Sequence, residues 1–491
     1  MQIMKPHVAL LASPGMGHVI PVLELAKRLT NHHNLHVTVF VVSSDQNTSV
    51  EQLSQLVINS PNEKLLHDVV LLRSDPDMSC LVDPDASIVT KILVMMRVCL
   101  PSLRSNISSM KFRPTALIVD LFGTEAMAVA DEFEMLKYVF ITTNAWYVAT
   151  SIYTPTVEEN VLDDHTNRKL PLKIPGCMPV RFEDTIEPFL YRNDPVFKWY
   201  LSLGMDMTKA DGVLVNTWED LESKSLEALR DTKMLGHIAK APVYPIGPLA
   251  RPVGPPPVLG NDDVLDWLDK QPAESVIYVS FGSGGTLSSK QMIELGWGLE
   301  MSQQRFIWVV RPPSDSDASG SYLTAEKGPA GFSDYLPDGF VDRTHNVGLI
   351  VPMWAPQAQI LGHPSVGGFL SHSGWNSTLE SIMNGVPMIV WPLYAEQKMN
   401  AAMLTEEFGV AVRSKEWPSS EMIVERDEIE MMVRRIMVDN EGGEMRYRVK
   451  QLKISALKAS SQGGSSYNSL SRLAIECESS LQCLKVKAQG G

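Results

Sequence analysis

His18 follows the glycine-bearing run Ser13-Pro14-Gly15-Met16-Gly17, and Asp120 ends the apolar run Thr115-Ala116-Leu117-Ile118-Val119. An imidazole backed by a carboxylate can take a proton from a hydroxyl, because the carboxylate fixes the tautomer and stabilises the imidazolium. A phenol or alcohol is a poor nucleophile at neutral pH, and a positioned imidazole typically adds about 10²–10⁴-fold to its reaction rate. A second chemistry lies between Trp354 and Gln397. Trp354 offers a flat face on which a base can stack, worth on the order of 1–3 kcal/mol. Helix N–H groups starting near Ser377 attract a phosphate by about 0.3–2 kcal/mol. Glu380 is a bidentate acceptor suited to a sugar diol. This stretch suits a base, a ribose, a diphosphate and a hydroxyl-rich head group.

The elements that must position these residues alternate strand and helix. In the second region, apolar runs at Val347–Val351, Val366–Leu370 and Met388–Trp391 are each followed by a polar or aromatic turn. Pro356 suits a first helical turn, with a short helix to Leu361. A longer helix opens at Ser377, with Glu380 in capping-box spacing, and closes at Gly385-Val386-Pro387. Parallel strands with right-handed crossovers place all these turns at the carboxyl edge of a sheet, where open α/β folds bind ligands. The first half repeats the plan. A strand at His7–Ala12 leads into a helix with Val22, Leu25, Ala26 and Leu29 at helical spacing, and further strands fall at Val37–Val42, Asp68–Leu72, Thr115–Asp120, Tyr138–Thr142 and Gly212–Asn216. A helix covers Ser87–Ser109. Leu170–Asp184 reads as a surface loop, and Pro242–Pro257 as a stiff proline-rich linker. A helix carrying Trp267 opens the second half, and the strand Ser275–Ser280 enters Phe281-Gly282-Ser283-Gly284-Gly285, with Ser283 at a helix opening. Ser314–Tyr335 is a long polar loop. Helices follow at Val424–Val438, Arg446–Ser460 and around Leu470–Leu484, with a hinge at Gly463–Ser466 and a disordered tail from Lys485.

Each reading has a plainer rival. Gly15-x-Gly17 begins a dinucleotide fingerprint, but Ile20 stands where the third glycine belongs and Asp45 is too distant, which disfavours a nicotinamide or flavin oxidoreductase. The tripeptides Asp75-Pro-Asp77 and Asp83-Pro-Asp85 sit in a turn-rich setting and read as loop acids rather than a metal site. Asp120 could cap the next helix. Ser377 and Glu380 could be a capping pair, and Trp354 and Trp375 core residues. A serine hydrolase would need a G-x-S-x-G elbow, which is missing. A binding protein on a dead enzyme fold would lack His18 or Asp120.

Size and charge narrow the class. A chain of 491 residues suits two or three domains, and 44% hydrophobic with 20% charged residues is ordinary for a globular protein. A net charge of −14 argues against nucleic acid or an anionic membrane as partner. It also argues against long-range steering of an anionic ligand, leaving backbone and hydroxyl donors to hold a diphosphate. Cys80, Cys99, Cys177, Cys477 and Cys483 show no CxxC spacing, which fits free thiols in a reducing compartment and no zinc. Val8–Ala12 is too short for a signal peptide and no run reaches membrane-spanning length, so a cytoplasmic protein is expected.

WAPQAQILGHPSVGGFLSHSGWNSTLESIMNGVPMIVWPLYAEQ, residues 354–397, resembles the signature box of plant family 1 UDP-glycosyltransferases over its full length without a gap. One departure is Ser373, where the family usually has Cys; both are small. PGMGHVIP resembles the family's opening. The resemblance implies a GT-B fold: two facing Rossmann-like, doubly wound α/β domains with a cleft between them. It implies an acceptor-binding domain at 1–245, a linker at 246–262, a UDP-sugar-binding domain at 263–460, and a helix at 461–491 returning to the first domain. His18 would be the catalytic base and Asp120 its partner. Trp354 would stack on uracil, the Ala355 backbone read its edge, and Gln357 and Glu380 hold the ribose. His372, Asn376, Ser377, the Gly374 backbone and Ser283 would hold the diphosphate. Trp375, Tyr394, Glu396 and Gln397 would meet the sugar, Gln397 pointing to glucose. Gly17, Phe122 and Trp146 would touch the acceptor. The reaction implied is inverting O-glucosylation from UDP-glucose, a co-substrate rather than a cofactor, with no metal, by a monomer. Within the family, PGMGHVIP, VSFGSGGTL and WAPQAQIL together resemble the group acting on hydroquinone, monolignols and other small phenols, with flavonoids and anthocyanidins as the alternative acceptors.

Overall fold

Two parallel sheets organise the chain, in a computed structural model that describes residues 5–43, 50, 53, 68–73, 81–83, 86–251, 262–315, 335–415 and 422–490. The first contains β1 (His7–Ala12), β2 (His36–Ser43), β3 (Asp68–Arg73), β4 (Ala116–Asp120), β5 (Leu136–Ile141), β6 (Gly212–Val215) and β7 (Val243–Pro245), in the order β3-β2-β1-β4-β5-β6-β7. The second contains β8 (Val276–Ser280), β9 (Arg305–Val310), β10 (Gly348–Pro352), β11 (Val366–Ser371), β12 (Met388–Val390) and β13 (Ala411–Arg413), in the order β10-β9-β8-β11-β12-β13. Their pairings are parallel. Each order reverses beside its first strand: β1 lies between β2 and β4, and β8 between β9 and β11. These are topological switch points, where the loops after neighbouring strands diverge and leave a crevice. Every residue of β1, β4, β6, β8 and β11 is buried. Burial on both faces is why these strands read as unbroken apolar runs instead of alternating ones.

Two compact units result. One comprises Met1–Val180, Pro188–Arg251 and Ser455–Gly491; the other comprises Arg181–Glu187 and Pro252–Ile454. In the first, the helix Met16–His33 lays Val19, Val22, Leu23, Leu25, Ala26 and Leu29 against β1 and β2 and ends on Asn34 in the left-handed conformation. Leu470, Leu473 and Cys477 of the helix Ser465–Gly490 join the same core. Burying such a side chain contributes roughly 1.5–3 kcal/mol. Glu476 on that helix accepts from the hydroxyls of Tyr138 (2.6 Å) and Tyr244 (2.7 Å), tying it to β5 and β7. In the second unit, Phe306, Trp308 and Phe340 pack with Leu295, Ile429 and Val433 around β8 and β9.

Several expectations are corrected here. Leu170–Asp184 is a surface loop only in part: Leu170, Pro171, Lys173, Pro179 and Glu183 are exposed, whereas Leu172 bridges Val180, and Leu172, Ile174, Val180 and Asp184 are buried. The proline-rich stretch begins with β7 and the fully buried Ile246 and Leu249, so prolines there edge a sheet; residues 252–261 lie outside the described residues. From Lys485 the chain continues as helix to Gly490. The DPD tripeptides and the polar loop at 316–334 fall wholly or mostly outside the described residues.

Candidate active site

At the first switch point, β1 runs into Ser13–Gly15, where Gly15 takes a φ of +104° that favours glycine, and the helix Met16–His33 starts at once. His18 therefore lies in that helix's first turn. Asp120 closes β4, the strand next to β1. Its Oδ2 lies 3.4 Å from His18 Nδ1, an ion-pair distance longer than a formed hydrogen bond. Asp120 is fully buried, and a buried carboxylate must be supplied with donors. Oδ2 accepts from the Ser13 N–H (2.7 Å) and from the Ser13 hydroxyl, and Oδ1 accepts from the Phe122 N–H (3.1 Å). The carboxylate is thus immobilised with one oxygen toward the imidazole, and Ser13 is a partner that reading the sequence missed.

Phe122 lies with its ring centroid 5.1 Å from that of His18, and Trp199 stacks on Phe122 at 4.8 Å and 24°. These two rings line a hollow with Leu11, Leu93, Met96 and Leu100, and with the polar Arg97, Thr124 and Glu125. Gly17 is exposed beside His18. Trp146 is different. At 2% exposure it is a core residue of the helix Ala145–Tyr153, whose first N–H groups are held by the buried Glu222, so it presents no open face to an acceptor. Trp199 was missed because it lies mid-helix, with no neighbouring motif.

In the second unit, the expected residues gather along one sheet edge: Ser283 after β8, Trp354 after β10, His372–Ser377 after β11 and Tyr394–Gln397 after β12. Trp354 is 46% exposed, an open aromatic face in a loop. Gln357 donates from Nε2 to the Ser377 hydroxyl (2.9 Å) and to Glu380 Oε2 (2.7 Å), joining three of the expected residues directly. The capping-box expectation is overturned. The helix spans Trp375–Asn384, and its N-cap is Gly374, with no side-chain cap. Ser377 and Glu380 therefore lie inside it, and their side chains turn to Gln357. The helix end carries a partial positive charge with no carboxylate cap opposing it. Trp375 is buried, so the group it brings to this end is its backbone N–H. Ser373 adopts a φ of +65° and is buried; its carbonyl accepts from Asn400 Nδ2 at 3.0 Å.

His372 occupies a slot between two glycines. A Cβ on Gly282 would lie 2.6 Å from its Nε2, and one on Gly374 would lie 2.5 Å away. Burial first, and the nearby Arg311 charge second, push its pKa down to about 4, so the ring is neutral at physiological pH. Arg311 follows β9 directly and donates to the Ser283 carbonyl. Burial lowers its own pKa, opposed by Tyr394 and Tyr278. This cation corrects the expectation that only backbone and hydroxyl donors stand here; its place just past a strand end, in Val310-Arg311-Pro312, was the available signal. Ser283 is also corrected: it sits exposed in a turn, and the next helix opens only at Ser289 behind the N-cap Ser288. Gln397 is buried, and its Oε1 accepts from the N–H groups of Leu393 (2.8 Å) and Tyr394 (3.2 Å), which leaves its NH₂ as the group it can donate.

An imidazole–carboxylate pair in one Rossmann-like unit, and an aromatic, helix end and buried imidazole in the other, are groups that suit a nucleotide-sugar-dependent transferase. Residues 261–430 match the family described as UDP-glucoronosyl and UDP-glucosyl transferase. The chain is 53% identical to UDP-glycosyltransferase 72E1 of Arabidopsis thaliana, covering all of both, and 53% identical to anthocyanidin 3-O-glucosyltransferase 5 of Manihot esculenta, covering 97% of this chain and 96% of that one. It is 41% identical to hydroquinone glucosyltransferase of Rauvolfia serpentina, covering 97% and 98%. The crystal structure of TcCGT1 in complex with UDP matches with a TM-score of 0.88 at 49% identity, over 97% of this chain and all of that one. The chain belongs to family 1 of the UDP-glycosyltransferases. It is a hexosyltransferase of the GT-B class that takes its sugar from a UDP-sugar.

Proposed function

We propose that the protein is an inverting O-glucosyltransferase that uses UDP-glucose and acts on small phenolic acceptors of the hydroquinone or monolignol type. The observation that carries this reading is the His18–Asp120 pair set beside the Phe122–Trp199 aromatic surface. A planar phenol resting on these rings has its hydroxyl near the imidazole. His18 takes the phenolic proton, and Asp120 stabilises the imidazolium that forms. The oxygen attacks the anomeric carbon from the side opposite UDP, and the bond to the diphosphate breaks, giving a β-glucoside and UDP. Trp354 stacks on uracil, the Ala355 backbone reads its edge, and Gln357 and Glu380 hold the ribose. The Gly374–Ser377 helix end, Asn376, His372, Ser283 and Arg311 take the diphosphate charge, a fixed array of donors that needs no reorganisation as charge develops. Trp375, Tyr394, Glu396 and Gln397 meet the sugar.

A second acceptor class is favoured by one observation: the relative named as an anthocyanidin 3-O-glucosyltransferase is as similar as any reported above. Both classes are separated by incubating UDP-glucose with a panel of simple phenols, monolignols and anthocyanidins and reading products by mass spectrometry. Glucosides of simple phenols or monolignols support the proposal, and turnover of anthocyanidins alone removes it. We also propose a cytosolic monomer. Among the described residues Cys99, Cys177, Cys477 and Cys483 are free thiols, and no helix is long and apolar enough to cross a membrane.

A further inference from the structure

We propose that Glu187 is a positioning residue that sets the sugar-reading turn Tyr394–Gln397 and thereby the preference among UDP-sugars; this rests on the donor-site reading above. Ala395, at the centre of that turn, has a φ of +57°, a conformation that alanine seldom adopts and that its surroundings must enforce. Both of its peptide groups are tied to one residue 208 positions earlier in the chain: the Ala395 N–H donates to Glu187 Oε2 at 2.8 Å, and the Ala395 carbonyl accepts from the Glu187 N–H at 3.1 Å. A two-point clamp on a single residue fixes the direction in which the chain leaves it, and the next two residues are Glu396 and Gln397.

The clamp is itself anchored. Glu187 ends the short Arg181–Glu187 stretch, which belongs to the second unit although the residues on either side of it belong to the first. Asp184 accepts from Arg181 Nε (2.6 Å) and from Arg413 Nη1 (3.0 Å), and Glu406 pairs with both arginines, so the stretch is docked beside β13. Lys398, one residue past the turn, is held by the charges of Glu187 and Asp184 against the burial that lowers its pKa. Glu187 touches none of the reacting atoms. Its part is to hold a strained turn in the one conformation that aims Glu396 and Gln397.

The test compares wild type, Glu187→Ala and Glu187→Gln as full chains. The readouts are kcat and KM for UDP-glucose and for UDP-galactose, affinity for UDP alone by calorimetry, and thermal melting. We expect Glu187→Ala to raise KM for UDP-glucose about tenfold, within the roughly hundredfold that a 1 Å misplacement can cost, and to narrow the glucose-over-galactose preference. UDP affinity should stay at the wild-type level. Glu187→Gln, whose amide oxygen can still accept from Ala395, should restore KM and preference. If Glu187→Ala does not fold, Glu187→Asp serves instead, since it keeps the charge near Lys398 but withdraws the oxygen from Ala395. Unchanged KM and preference in a folded variant overturn the role, as does a loss of UDP affinity equal to the rise in KM, which would mark general damage to the site. A wild-type chain that turns over no UDP-sugar overturns the donor-site reading and this role together.

Discussion

The two switch-point turns, Ser13–Gly17 and Phe281–Gly285, start from the same plan and end with opposite electrostatics. Each follows the first strand of a doubly wound parallel sheet, and each bends on a glycine with positive φ, Gly15 at +104° and Gly282 at +77°. The first passes at once into a helix, so His18 stands at the helix opening with a buried carboxylate behind it. The second stays irregular until Ser289, and the imidazole it faces, His372, arrives from β11 with an arginine for neighbour. A carboxylate beside one ring suits it to receive a proton and hold the charge. Burial, and then a neighbouring cation, keep the other neutral, able to donate one N–H without taking up a charge. Topology supplies the place, and burial together with the adjacent charge decides what each imidazole can do.

That contrast can be broken most sharply at His18. His18→Ala should lower kcat by about 10²–10⁴-fold while calorimetric affinity for UDP stays unchanged; an equal loss of both would make His18 a structural residue. Next in size is Gly282→Ala. The added methyl meets the His372 ring, and the residue is held in a strained backbone region costing about 1–3 kcal/mol, so UDP affinity should fall at least about tenfold. Normal UDP binding by this variant would remove His372 from the diphosphate site. Arg311→Met should weaken UDP binding by about tenfold, consistent with the ~1.5–3 kcal/mol of a hydrogen bond to a charged group, with Arg311→Lys recovering part of it. An unchanged affinity would confine Arg311 to fixing the Ser283 turn.

A separate effect, on stability instead of binding, lies in its pH dependence. His372 is held at about 4 in the folded chain against an ordinary 6.5. Between these values the unfolded chain binds the extra proton, so stability rises with pH across the window and is lost as pH falls through it, by up to about 1.4 kcal/mol per pH unit. Burial lowers His33 to about 4 and also lowers His7, so all three add to the acid-side loss. His372→Gln should remove only its own share, seen as a flatter denaturation midpoint between about pH 4 and 6.5. Identical profiles for variant and wild type would mean that His372 titrates normally.

Local pattern made much of this legible. Unbroken apolar runs marked the strands, and residues just past each run marked the ligand edge, because parallel crossovers put every such turn on the same side. Trp354, His372 and Gln397 stand past strand ends in this way, while the roles of His18 and Gln397 rest on the family resemblance. Helix starts were harder: the Ser377–Glu380 spacing imitated a cap, whereas Gly374 forms the actual one and both side chains serve Gln357.

What the chain order determined by itself was therefore which residues stand at the ends of strands. Which of them meet was decided only by folding. Ser13 reaches Asp120 across 107 positions and Glu187 reaches Ala395 across 208, and Arg311 comes beside His372 because β9 and β11 flank β8. Strand periodicity records which side chains are buried, not which strand lies next door. Pairings made by sheet order and by the Arg181–Glu187 stretch leave no trace in local spacing, and sheet order alone brings Asp120 to His18 and Arg311 to His372.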